Sequence, residues 1–174
     1  MICKRLILAV MLISQGFFYS TNAANKETYF DVEISKAYPT SCFYTDMADV
    51  ELAPIQDEDG NTFNGYVRYA NNLQEDFKAM LYKHLGQENV DQYKLGSITF
   101  VCDVPTGDIL KVSYVFDNVD GAKTIDLDKL IKATDDIKTN VKLIEPTVSG
   151  IRPAKGVVSR VIYYQKVEYD PWGW

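Results

Sequence analysis

Histidine occurs once in the 174 residues, at position 84. A Cys-His or Ser-His catalytic pair would have to use that imidazole, and a zinc site would want a second one. His84 lies near the end of a helix-like stretch, where a cation suits the dipole, so it reads as helix-end structure. Basic residues are in deficit, 18 against 24 acidic. That balance excludes nucleic acid and anionic membrane surfaces as natural partners. Repeats and low-complexity linkers are absent. Past the first two dozen residues no apolar run approaches bilayer length, so no stable membrane anchor is expected in the mature chain. The missing chemistry points to a protein with no cofactor and no metal.

Cysteine is scarce too, with 3 residues. The first of them, Cys3, falls in a leader. Lys4 and Arg5 form a positive n-region, and Leu6 to Phe18 an apolar run too short to span a bilayer. Thr21-Asn22-Ala23 supplies small residues at a signal-peptidase site. Cleavage is expected after Ala23, with Ala24 the next choice, and Cys3 is too early for a lipoprotein signal. Residues 1–23 are thus read as a signal peptide and 24–174 as one α+β domain, exported to the periplasm or outside the cell. Lys4 and Arg5 leave with the leader, so 16 basic and 24 acidic residues remain, a net charge of −8. Cys42 and Cys102 remain as an even pair in an oxidising compartment, which predicts a disulfide. Closing that loop would stabilise the fold by roughly 4 kcal/mol in the chain-entropy model. The alternative is two separately buried thiols.

Hydrophobic periodicity places the elements. Phe30, Val32 and Ile34 alternate with Tyr29, Asp31 and Glu33, predicting a strand over 27–34. Residues 36–48 read as a connection. Val50 to Ile55 and Gly65 to Ala70, around the turn signal Asp57-Glu58-Asp59-Gly60-Asn61, read as a hairpin. Leu73, Phe77, Met80, Leu81 and Leu85 form a helical stripe, with Asn71 or Asn72 to cap it and Gly86 to stop it. Ser97–Asp103 and Asp108–Asn118 form a second hairpin about Pro105-Thr106-Gly107. A second helix is expected over Leu127–Thr139, capped by Asp126. Residues 144–156 read as loop. Val157–Val167 is the last strand, with Val157, Val161, Tyr163 and Val167 on one face. The fold class is α+β: a small antiparallel sheet with two helices on one face, preceded by an N-terminal strand and hairpin.

Residues 71–168 carry a resemblance. Gly96-Ser97-Ile98-Thr99-Phe100-Val101, Gly107-Asp108-Ile109-Leu110-Lys111-Val112, Leu127-Asp128 with Leu130-Ile131, and Gly156-Val157-Val158 are similar to the strands, turn and second helix of the C-terminal domain of the TonB energy-transducer family. The resemblance implies a fold, and with it a binding mode in which an edge strand pairs with an extended peptide.

Candidate chemistry is thin. Asp57-Glu58-Asp59-Gly60-Asn61 has the wrong spacing for an EF-hand loop and reads as an acidic hairpin tip. Asp126/Asp128 and Asp135-Asp136 sit on a helix where sequence neighbours do not face one another. Aromatic residues are the remaining signal. Tyr163 and Tyr164 are adjacent on a strand, so one must face away from the core. Trp172 and Trp174 sit in an irregular tail. Exposed rings with a polar tip favour recognition, making Tyr164, Trp172 and Trp174 the candidate ligand-binding residues. The leading expectation is a non-enzymatic binding or assembly module of the cell envelope, taking a peptide, protein or glycan by an edge strand or aromatic patch. The alternative is an envelope glycan or peptide hydrolase using Asp57, Asp59, Asp135 or Asp136. An inhibitor of a secreted enzyme reads the same way as the first.

Overall fold

The computed structural model describes residues 29–34, 36–63 and 65–164. The leader and residues 165–174, with Val167, Trp172 and Trp174, lie outside them. Six strands form one antiparallel sheet: β1 (Phe30–Ile34), β2 (Cys42–Asp46), β3 (Ala53–Gln56), β5 (Leu95–Asp103), β6 (Ile109–Phe116) and β8 (Lys155–Tyr163). Their order across the sheet is β1-β2-β6-β5-β8-β3. A separate two-stranded ribbon pairs β4 (Val67–Arg68) with β7 (Thr147–Val148). Among the described residues four helices accompany them: α1 (Leu73–Leu85), α2 (Gln87–Tyr93), α3 (Val119–Ala122) and α4 (Leu127–Asn140). The α+β class stands, with two short helices more than the periodicity showed.

The two long helices form for the expected reason. Leu73, Phe77, Leu81 and Leu85 are the buried stripe of α1, each four residues after the last. Gly86 ends it at φ 86°, donating its amide to the Tyr82 carbonyl. Asn72 is the N-cap without a side-chain bond; its backbone carbonyl accepts from Glu75 and Asp76 instead. Asp126 caps α4 as its side chain predicts, accepting from the amides of Asp128 and Lys129. Leu130, Ala133, Thr134 and Ile137 are the buried face of α4.

Both helices lie on one face of the sheet. The Phe77 ring of α1 meets Phe100 of β5 edge-on at 5.3 Å. Thr134 of α4 shares a 2.8 Å hydrogen bond with the Tyr114 hydroxyl of β6. Cys42, Tyr44, Ile98, Phe100, Val112, Tyr114 and Phe116 belong to the core behind that layer. The opposite face is exposed along β8 and closed over at Ser97 and Val101 of β5, which are 9% and 8% exposed. Register sets Phe43, Val115, Ser97 and Tyr163 in one row across it, and Ser113, Thr99 and Val161 in the next. Tyr163 and Val161 are 61% and 45% exposed there. Of the two adjacent tyrosines, Tyr163 is thus the one that faces away.

Three expectations are corrected. The thiols of Cys42 and Cys102 are free and buried. Cys42 sits opposite Phe116 and Cys102 opposite Ile109, towards the two ends of β6. Extended backbone between those positions spans about 23 Å, while a disulfide needs Cα atoms within about 7 Å. The even count was a compositional argument with no geometry in it. Second, residues 42–46 are a strand, β2, which pairs with both β1 and β6. Third, the predicted hairpin of 50–70 is only local. Gln56 bridges Thr62 around the acidic turn, but β3 then pairs with β8 and β4 with β7.

Candidate functional site

The sheet has two edges, and they differ. β3 is four residues long and carries Pro54. Its own chain turns back over it: Phe63 N–H donates to the Ile55 carbonyl at 2.8 Å, and Asp57 N–H to the Asn61 carbonyl at 3.1 Å. A short edge with a proline and a return chain is guarded against further pairing. β1 has neither device, and no described strand lies beyond it.

Pairing parity shows what β1 presents. Met47 N–H donates to the Tyr29 carbonyl at 3.0 Å, continuing the register in which Asp31 faces Thr45 and Glu33 faces Phe43. Hydrogen-bonded and non-hydrogen-bonded pairs alternate in an antiparallel ladder. The odd-numbered residues of β1 therefore bond to β2. The amides and carbonyls of Phe30, Val32 and Ile34 point away from the sheet. On the helix side of this edge Val32 and Ile34 are 47% and 43% exposed. On the other side stand Asp31 and Glu33, both exposed. Neither carboxylate makes an ion pair or side-chain hydrogen bond among the described residues.

The edge rests on an anchored base. Phe30 is buried, tilted edge-on to Tyr44 and Tyr114 with centroids 6.1 and 6.0 Å away. Asp46, 2% exposed, ends β2. Its carboxylate accepts from Val112 N–H at 3.0 Å and Ala48 N–H at 2.9 Å, and pairs with the Lys138 ammonium of α4. The ladder from β2 to β6 stops at Tyr44 opposite Tyr114, so the Asp46 side chain takes the next donor the ladder would have used. Lys138 also lies 5.1 Å over the Tyr29 ring, and the Tyr29 hydroxyl donates to Asp135 at 2.7 Å. Burial, reinforced by that carboxylate, holds the Tyr29 phenol well above its ordinary pKa.

The residues singled out by sequence fall elsewhere. Tyr164 lines a cleft of about 270 Å³ with Gln74, Lys78, Val90, Asp91, Lys94 and Leu95. Its hydroxyl donates to the Gln74 carbonyl at 2.8 Å, and burial raises its pKa. Tyr164 is half-buried and forms a wall of that cleft. Trp172 and Trp174 lie outside the described residues.

The four carboxylates of the hydrolase alternative fall on two elements, two on the acidic turn and two on α4. Asp57 is at the acidic turn, where it accepts from the Asn61 amide and side chain, and those bonds lower its pKa. Asp59 is on the same exposed turn. Asp135 takes the Tyr29 hydroxyl, and Asp136 is held by Lys83 and His84, each at 2.6 Å. Lys83 and then His84 keep the Asp136 carboxyl below its usual value. His84 therefore clasps α1 to α4. Burial pushes the Cys102 thiol up to about 11 and also raises Cys42, which makes both poor nucleophiles. Among the described residues no three His, Cys, Asp or Glu side chains gather as a metal site.

No family model matches the sequence, and no curated protein does. Among solved structures, a DUF5043 family protein from Bacteroides uniformis ATCC 8492 is similar, with a TM-score of 0.53 at 13% identity over 79% of this chain and 81% of that one. At that identity the likeness shows the α+β fold.

Sequence reasoning missed the β1 edge as a distinct site, although it expected an edge to matter. The signal available was Phe30-Asp31-Val32-Glu33-Ile34: apolar alternation without proline, glycine or a guarding lysine.

Proposed function

We propose that this chain is an exported, non-enzymatic binding or assembly module of the bacterial cell envelope. It recognises an extended segment of a peptide or protein by taking it up as an additional strand beside β1. The observation that carries the reading is the row of outward amides and carbonyls at Phe30, Val32 and Ile34, set against the guarded edge at β3. Main-chain pairing of this kind supplies affinity, and side chains on alternate positions supply choice. The resemblance to the TonB C-terminal domain family supports the same mode. Among the described residues it is the β1 edge that has no further strand beside it, because the last strand β8 is interior, between β5 and β3. Export rests on the leader. Among the described residues no helix is long and apolar enough to cross a membrane.

Selection from a random peptide library tests the reading. Val32→Pro removes an outward amide and adds a ring at the edge, and it takes no donor from the β1–β2 ladder. Peptides enriched on the native protein should lose binding to this variant while its circular dichroism is unchanged. Peptides that bind both forms equally would refute edge pairing.

A further inference from the structure

The two sides of the β1 edge differ in chemistry, with exposed carboxylates on one and apolar side chains on the other. We infer that the segment β1 takes up is one that alternates basic and apolar residues; this rests on the edge-pairing reading above.

Charge complementarity decides the class of partner. Asp31 and Glu33 project from one side of the edge with no ion pair among the described residues. Their neighbours across the ladder are Thr45 and Phe43, which cannot neutralise them. Lys111 of β6, two strands away, donates to the Ala48 carbonyl at 3.1 Å. An incoming strand therefore meets two uncompensated carboxylates at alternate positions. Opposite charges across a ladder attract and like charges repel. Lysine or arginine at the facing positions satisfies them. On the other side Val32 and Ile34, each nearly half exposed, present apolar surface that suits valine, isoleucine or leucine at the intervening positions.

The same arrangement disfavours a second copy of this chain. Antiparallel pairing of two β1 edges about Val32 sets Asp31 of each copy against Glu33 of the other. A parallel arrangement also crowds the carboxylates on one side. The edge is thus protected against itself while open to a basic partner. Net acidity of the whole chain, 18 basic against 24 acidic residues, speeds the encounter with such a segment.

The test uses the full exported chain and three labelled synthetic peptides read by fluorescence anisotropy. One alternates lysine with valine, one glutamate with valine, and one serine with valine. The lysine peptide should bind at least about tenfold more tightly than the glutamate peptide, a ratio that two cross-strand charge pairs can supply. Asp31→Lys with Glu33→Lys should reverse that preference, and Val32→Pro should abolish binding of every peptide. If all three peptides bind alike and Val32→Pro still abolishes binding, edge pairing stands and the basic partner is wrong. If no peptide binds, or if binding survives Val32→Pro, both readings fall and the carboxylates serve only to guard the edge. Self-association of the native chain that Val32→Pro relieves would also overturn the inference.

Discussion

Asp46→Ala should be among the most costly single substitutions outside the apolar core. The carboxylate is 2% exposed and receives two backbone amides and the Lys138 ammonium. Alanine leaves the buried Val112 amide without a partner, which costs about 1–3 kcal/mol. It also leaves Lys138 without its counter-ion, and removing one partner of a buried pair costs about 3–5 kcal/mol. Lys138 is 21% exposed, so its head can turn toward water, and the low end of that range applies. The two losses share one side chain and do not simply add, which gives about 3 kcal/mol in total. Asp46→Asn keeps an acceptor for Val112 but turns its NH2 toward the Ala48 amide and loses the charge, so it should cost less than alanine. Urea unfolding followed by circular dichroism measures both. With an m-value of about 2 kcal/mol/M the midpoint should fall by about 1.5 M for alanine. A loss below about 0.5 M for Asp46→Ala, or equal losses for both variants, would refute the account of how β2 is anchored.

Other outcomes follow from the same geometry. In native protein the thiols of Cys42 and Cys102 should resist a thiol reagent, and both should react in denaturant; failure to find thiols in denaturant without reductant would restore the disulfide. Gly107 has φ 76°, and a Cβ there would sit 2.3 Å from the Leu143 carbonyl oxygen, so Gly107→Ala should cost about 2–3 kcal/mol, read as a lowered melting temperature. Lys83 and His84 depress the Asp136 carboxyl. A depressed carboxyl contributes stability that is present above its unfolded pKa and lost as pH falls through the folded one. Acid unfolding below about pH 4 should therefore be shallower in Asp136→Asn than in the native protein, and parallel curves would contradict this.

Much of the fold was legible, and the reasons are local. α1 and α4 announce themselves because one face of each repeats every three or four residues, and Gly86 and Asp126 mark an end and a start. The β5–β6 hairpin is legible from its turn: Gly107 takes positive φ and donates to the Asp103 carbonyl. β2 is not legible because its apolar face ends in Asp46, whose burial depends on Lys138, far along the chain. The sequence pattern joins β3 and β4 into one hairpin because turn chemistry around Asp57 is local, whereas their partners β8 and β7 are not. The two tyrosines at 163 and 164 had to face opposite ways, but only the position of the helix layer shows which faces out. The site itself was half legible. An edge was expected, but strand order decides which edge is free, and strand order is a long-range property.

Amide exchange along β1, followed by NMR or by mass spectrometry with residue resolution, tests the central claim most directly. In the free protein the amides of Asp31 and Glu33 should exchange slowly and those of Phe30, Val32 and Ile34 quickly. A saturating lysine–valine peptide should slow the second set and leave the first unchanged. Slow exchange at Val32 before any peptide is added, or fast exchange there at saturation, would contradict the account.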